Sequence, residues 1–266
     1  MSKSYIVFTD LDGTLLDHHT YSHTAAQAAL DKLQQLKIPV VLNSSKTPAE
    51  IEAIARDLQL DSPRIAENGS VIAFPDGEML KLGSDYPTIC RVLNQLREQE
   101  HYQFTGFHDG TAEAIAGLTG LSPEAAQRAG ERQASEPLLW QDDEEKLEQF
   151  RQQLAEHGLA LKRGGRFWHV MGQADKVQAM QYLVNSYQQD KADGQPLTVI
   201  ALGDGPNDRD MLAAADIAVI VHNPDGKALD LPECSGQQLI RTTLPGPAGW
   251  NAAMLQILEN EATNQR

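Results

Sequence analysis

Only two residues of this chain are cysteines, Cys90 and Cys234, and neither stands at zinc-site spacing from a histidine. A zinc site built on these cysteines is therefore not expected, and both read as plain core or surface thiols. Basic residues are also scarce, with 22 Lys and Arg against 37 Asp and Glu and a formal net charge of -15. That sign excludes a nucleic-acid partner, because phosphate backbones select for the opposite charge. No apolar run approaches the length of a membrane span, and the chain enters its first apolar run almost at once, so the expectation is a cytoplasmic protein with no membrane association. Low-complexity tracts are absent, and a hydrophobic content of 41% over 266 residues allows one large core or two modest ones. An acidic protein can still bind a small anionic substrate if a metal ion and a few placed cations dominate the local field.

The chain is organised around the stretch from Tyr5 to Asp17. Tyr5 to Phe8 is a short apolar run with polar borders, the pattern of a strand buried on both faces of a parallel sheet. Asp10 and Asp12 follow where that strand ends, and Gly13 lets the backbone turn sharply. Open α/β sheets bind ligands at the carboxyl ends of their strands. An EF-hand is excluded, because counting from Asp10 places glycine fourth and Tyr21 twelfth. The two acids can share a magnesium ion, or one can attack while the other shuttles protons; the alternative is a polar turn that caps the next helix.

Further along, Ala26, Leu30, Leu33 and Leu36 predict an amphipathic helix, and Ile38 to Leu42 a second buried strand. That strand leads into Asn43-Ser44-Ser45-Lys46-Thr47, with Thr47, Pro48 and Glu50 forming a capping box for the following helix. Ser44 is placed to donate to a phosphate oxygen or is an ordinary loop serine, and Lys46 is a ligand or a solvated cation. Glu67-Asn68-Gly69 lies between short apolar runs and predicts a hairpin turn. Pro75 to Gly77 predicts a second one, adding antiparallel strands beside the parallel sheet.

From about residue 84 to 170 the pattern changes to helices near 87–99, 111–117, 122–132 and 143–157 with short strands between them, an α+β insert. It ends in a hairpin from Leu159 to Met171, turning at Gly164-Gly165, with Lys162, Arg163, Arg166 and His169 as a cationic cluster. These charges protect an edge hairpin, or Arg163 or Arg166 contacts an anionic group. Lys176 then opens a helix, where the macrodipole disfavours a cation. Thr198 to Leu202 is another buried strand, followed by Gly203-Asp204-Gly205-Pro206-Asn207-Asp208, which lacks both the third glycine of a dinucleotide loop and a Walker lysine. Ile217 to Val221 reads as the last core strand, residues 248–258 as a closing helix, and Pro245 to Trp250 as a rigid turn.

Asp-Leu-Asp-Gly-Thr at Asp10, Ser44 at the second strand end, Lys176 and Gly-Asp-x-x-Asn-Asp at Asp204 together resemble the four motifs of the haloacid dehalogenase-like (HAD) phosphohydrolases. The resemblance implies a Rossmann-like parallel-sheet core in residues 1–83 and 171–266, with residues 84–170 as a C2-type (C2b) cap. It also implies an aspartyl-phosphate on Asp10, Asp12 as general acid and base, and Ser44 and Lys176 on the phosphate oxygens. Mg2+ would be held by Asp10, the main-chain carbonyl of Asp12 and Asp204, with Asn207 and Asp208 around it. Residues 43–47, 163–167 and 245–250 further resemble the mannosyl-3-phosphoglycerate phosphatases, which implies a glycosyl-phosphoglycerate substrate. Lys46, Glu67, Asn68, Arg163, Arg166 and His169 are the candidate substrate contacts. Competing readings are a phosphomutase, a phosphatase for a simpler sugar phosphate, and a binding protein that kept the fold.

Overall fold

A computed structural model describes residues 4–164, 166–189, 196–226, 229–232 and 236–264. In chain order the elements begin with β1 (Ser4–Thr9), α1 (Gln27–Gln35), β2 (Val40–Leu42), α2 (Pro48–Asp57), β3 (Arg64–Ala66), β4 (Val71–Ala73) and β5 (Met79–Lys81). They continue with α3 (Tyr86–Glu100), β6 (Phe104–Gly106), α4 (Ala112–Thr119), α5 (Pro123–Gly130), β7 (Ser135–Trp140), α6 (Glu144–Glu156), β8 (Ala160–Arg163) and β9 (Trp168–Met171). The last are α7 (Lys176–Gln189), β10 (Leu197–Gly203), α8 (Arg209–Ala213), β11 (Ile217–His222), β12 (Gln238–Pro245) and α9 (Gly246–Asn264). The chain divides into two compact units, one of Met1–Ser44, Leu60–Pro63 and Lys176–Arg266, the other of Ser45–Gln59 and Arg64–Asp175.

The first unit is built on a five-stranded sheet in the order β12-β11-β10-β1-β2, every pair parallel. Its central strands are apolar runs because both faces are covered, and Ile6, Val7, Phe8, Ile200, Ala201 and Leu202 have no exposed surface. The register pairs Thr9 with Leu202 on one side and with Leu42 on the other. The residues next after this paired row, Asp10, Gly203 and Asn43, are thereby set side by side.

One strand escaped the sequence reading. β11 is not the last, because β12 pairs with it in parallel at the sheet edge. Most β12 side chains are exposed or half-buried, so no continuous apolar run announces the strand. Pro245 to Trp250 is accordingly the junction between β12 and α9 and not a free turn.

In the second unit, β3, β4 and β5 form an antiparallel sheet of their own and do not extend the parallel sheet, as the turn signals had suggested. A second antiparallel sheet has the order β6-β7-β9-β8. Its core joins Ile89, Val92, Leu93 and Leu96 of α3 and Phe150 and Leu154 of α6 to Phe104, Leu138 and Val170 on the strands. Both helices start at an aspartate cap, Asp85 accepting from Thr88 N and Asp143 from Lys146 N. Cys90 on α3 is a buried thiol, and burial followed by the nearby Glu136 charge pushes its pKa up to about 11, which keeps it un-ionised. Cys234 and Gly165 lie outside the described residues.

Candidate active site

The loop after β1 is tied to itself by Gly13 N→Leu16 O and Leu16 N→Leu11 O bonds of 2.9 and 2.8 Å. Gly13 adopts a φ of +80°, and a Cβ there would stand 2.8 Å from Asp204 Oδ2. Conformation and space therefore both require glycine, so that two acidic loops can approach. Asp10 N donates to Leu202 O at 2.9 Å, and Asn43 N donates to Thr9 O at 2.8 Å, which locks the three strand ends together. Asp10 and Ser44 are buried and Asp12 is half-buried.

Lys176 Nζ lies 2.7 Å from Asp10 Oδ1 and 2.7 Å from Asp208 Oδ1, and all three side chains are almost wholly buried. Asp208 shapes its own loop, since Oδ2 accepts from the backbone N–H of Asp204 and Gly205 at 3.2 Å each. Asp204 accepts from Thr14 Oγ1 at 2.8 Å through Oδ1 and from Asn223 Nδ2 at 2.6 Å through Oδ2. One oxygen each from Asp10, Asp204 and Asp208 lie within 4.8 Å of one another. The Asp12 carboxylate is not in that cluster of side-chain oxygens, whereas that of Asp208 is.

Burial raises the pKa of Asp10 well above its ordinary value, and the charges of Asp208 and Asp204 raise it further against the pull of Lys176. Burial and Asp208 raise Asp204 likewise, opposed by the bonds from Thr14 and Asn223. For Lys176, burial works against the charged form, but Asp10 and Asp208 outweigh it and the ammonium is held more firmly than in water. Three carboxylates around one ammonium leave an excess of two negative charges if all ionise. The donor set is all oxygen, and each Asp204 oxygen keeps a second lone pair, so the cluster fits a hard divalent cation such as Mg2+.

The candidate substrate contacts in the second unit have definite structural partners there. Glu67 is fully buried at φ +51°, and its carboxylate accepts from Gln133 N, Ala134 N and Ser135 Oγ at 2.8, 3.0 and 2.7 Å. Asn68 follows at φ +56° in the same turn. Lys46 O accepts from Glu67 N at 2.9 Å. Arg163 is exposed and stacks on Trp168 with its guanidinium carbon 4.9 Å from the ring centroid. Arg166 precedes β9, is exposed and donates to Leu118 O. Lys162 Nζ donates to Ala174 O at 3.3 Å.

His169 is no part of a cationic cluster. It is buried, and burial together with the charge of Arg132 depresses its pKa to about 3, so the ring is neutral at physiological pH.

Sequence reasoning missed Thr14 and Asn223, whose only signal is an ordinary hydroxyl and an ordinary amide. It also missed what Trp250 does. This residue has no exposed surface; its Nε1 donates to Thr9 Oγ1 at 3.0 Å, and that hydroxyl donates to Asp10 O at 2.8 Å. Trp250→Phe breaks the outer bond of this relay and shrinks a buried side chain. The expected result is a loss of roughly 2 kcal/mol in chemical denaturation and a several-fold lower kcat with little change in KM.

The ends of two parallel strands carry Asp10 and Asp204, and Lys176 at the start of α7 stands between Asp10 and Asp208, at the edge where open α/β sheets bind ligands. The chain belongs to the haloacid dehalogenase-like hydrolases, whose family model matches residues 7–118 and 121–231. Among solved structures, protein 0175 of Thermoplasma acidophilum superposes with a TM-score of 0.69 at 19% identity, covering 98% of this chain and 99% of its own. A haloacid dehalogenase-like hydrolase from Bacteroides thetaiotaomicron gives 0.67 at 20% identity over 96% of this chain and 100% of its own. A phosphatase of the HAD superfamily from the same organism gives 0.67 at 20% identity, covering 98% and 96%. At these identities the likeness shows the fold.

Proposed function

We propose that the protein is a cytoplasmic Mg2+-dependent phosphatase that hydrolyses a glycosyl-3-phosphoglycerate, in the first place mannosyl-3-phosphoglycerate, to the glycosylglycerate and phosphate. The observation that carries the phosphatase reading is the Asp10 carboxylate, 2.7 Å from buried Lys176 and clustered with Asp204 and Asp208. The substrate rests on the resemblance of residues 43–47, 163–167 and 245–250.

Asp10, Asp204 and Asp208 are the side chains that would hold the ion. When bound there, Mg2+ offsets the repulsion between a carboxylate and a phosphate and draws charge from the phosphoryl oxygens. Lys176 holds Asp10 in place and adds positive charge beside the incoming phosphate, and Ser44 donates its hydroxyl to a phosphoryl oxygen. An Asp10 oxygen attacks phosphorus, and the bond to the glycerate oxygen breaks as Asp12 gives that oxygen its proton. Asp12 then takes a proton from water, which attacks the aspartyl-phosphate, releases phosphate and restores Asp10.

Phosphate release in Mg2+ should show a large kcat/KM preference for mannosyl-3-phosphoglycerate or its glucosyl counterpart over hexose phosphates. Equal turnover of simple phosphates would remove the substrate assignment and leave the phosphatase. Independently of turnover, saturating Mg2+ should raise the melting temperature of the metal-free protein by several degrees, and Asp204→Asn should abolish that shift. A shift that persists in Asp204→Asn would place the ion elsewhere.

A further inference from the structure

Asn223 directly follows β11, and β11 runs parallel to β10 with Ile220 beside Gly203. That register brings Asn223 to the loop that begins at Asp204, and its Nδ2 donates to Asp204 Oδ2 at 2.6 Å. Thr14 Oγ1 holds the other oxygen at 2.8 Å. A carboxylate held through one oxygen can still turn about its Cβ–Cγ bond, whereas donors on both oxygens fix its plane. Both donors here are neutral. They orient the Asp204 charge without cancelling it, which an ammonium or guanidinium in the same place would do.

The Asn223 amide is itself held so that it can face only one way. Its Oδ1 accepts from Asp225 N at 3.0 Å, which leaves the NH2 group for Asp204. Next to it, His222 N donates to Thr242 Oγ1 of β12 at 2.9 Å. Further round the turn, Asp225 Oδ2 lies 3.1 Å from His19 Nε2 on the loop after β1, the loop that also carries Thr14. Gly226 N donates to Asn223 O at 3.4 Å and closes the turn. A Cβ at Gly226 would stand 2.8 Å from both Cγ and Nδ2 of Asn223. Glycine is therefore required there by space, and a larger residue would push the Asn223 amide away from its present position.

We propose that Asn223 is a positioning residue for the metal ion: by holding the Asp204 carboxylate in one plane with its charge intact, it sets how tightly the protein binds Mg2+. The inference rests on the Mg2+ reading above and adds to it a residue that acts through Asp204.

The test is metal binding, read without turnover. The metal-free full-length protein is titrated with MgCl2, and the affinity is taken from the rise of melting temperature with Mg2+ concentration. Asn223→Ala should weaken Mg2+ binding by roughly 10- to 100-fold, as when the hydrogen-bond partner of a ligating group is removed. The melting temperature of the metal-free variant should stay within a few degrees of wild type, because the side chain lost is only half-buried. Gly226→Ala, which keeps Asn223 but displaces its amide, should weaken binding in the same direction by a smaller factor. An asparagine with a merely structural role would lower the metal-free melting temperature and leave the Mg2+ affinity as it was. A wild type that binds no Mg2+ removes the Mg2+ reading and this inference together, whereas wild-type affinity in Asn223→Ala removes the inference alone. Should Asn223→Ala fail to fold, Gly226→Ala decides, and an unchanged Mg2+ affinity in that variant would overturn the proposal.

Discussion

Asp10→Asn is expected to give a folded protein whose phosphate release falls by at least about 10⁴-fold. The amide keeps an oxygen for Lys176, 2.7 Å away in the wild type, so the geometry of the cluster survives. What is lost is the electron pair that attacks phosphorus. The same change should make the metal-free protein more stable. Burial and the neighbouring Asp208 raise the folded pKa of Asp10 above its unfolded value, so its ionisation opposes folding. The folded state holds the proton more tightly, and stability falls as pH rises above the unfolded carboxylate value of about 3.9. Asparagine removes that loss, so melting curves of wild type and variant in chelator should diverge in the variant's favour from pH 4 upward. An active Asp10→Asn enzyme, or a variant less stable than wild type at pH 7, would overturn the role assigned to Asp10.

Lys176→Met is expected to have the opposite effect on stability. Lys176 stands 2.7 Å from each of two buried aspartates, and removing one member of a buried ion pair typically costs about 3–5 kcal/mol. The cost depends on pH. Without the ammonium, the Asp10 carboxyl is raised further and the folded state favours its protonated form still more. The variant should therefore approach wild-type stability near pH 4 and fall away as pH increases, read from urea midpoints in chelator. Activity should be lost at every pH, because the ammonium that holds the Asp10 carboxylate at 2.7 Å and adds positive charge beside the incoming phosphate is gone. A variant with wild-type midpoints at pH 8 would mean that the three carboxylates do not depend on Lys176.

The sequence made the two-sided parallel strands legible because burial on both faces leaves an uninterrupted apolar run, as in Ile6 to Phe8 and Ile200 to Leu202. The acids of the centre were legible for a related reason. Asp10 and Asp204 break such runs at the strand end, where a buried carboxylate has no structural excuse. β12 was hidden because an edge strand buries little and needs no apolar pattern. Local pattern also predicted the turn at Glu67 but not the destination of its carboxylate, which lies with residues 133–135. Counting His169 as a cation followed from its residue type, whereas its charge is set by burial that only the folded chain reveals. Thr14 and the pairing of Trp250 with Thr9 share this limit, since each matters through a partner far away in the chain.

Those distances bear on how the protein is made. β1 is an interior strand of its sheet, between β2 and β10, and β10 begins only at Leu197. The ion pair of Asp10 with Lys176 spans 166 residues, and the bond from Thr14 to Asp204 spans 190. On the ribosome, the first strand of the enzyme centre therefore emerges long before the strand and the lysine that complete it. The second unit, whose residues end at Asp175, can be synthesised whole while β1 has only β2 beside it and still lacks β10. Assembly of the catalytic face is thus a late step in biosynthesis, and during that interval the edge of β1 that later meets β10 is open to mispairing or chaperone capture.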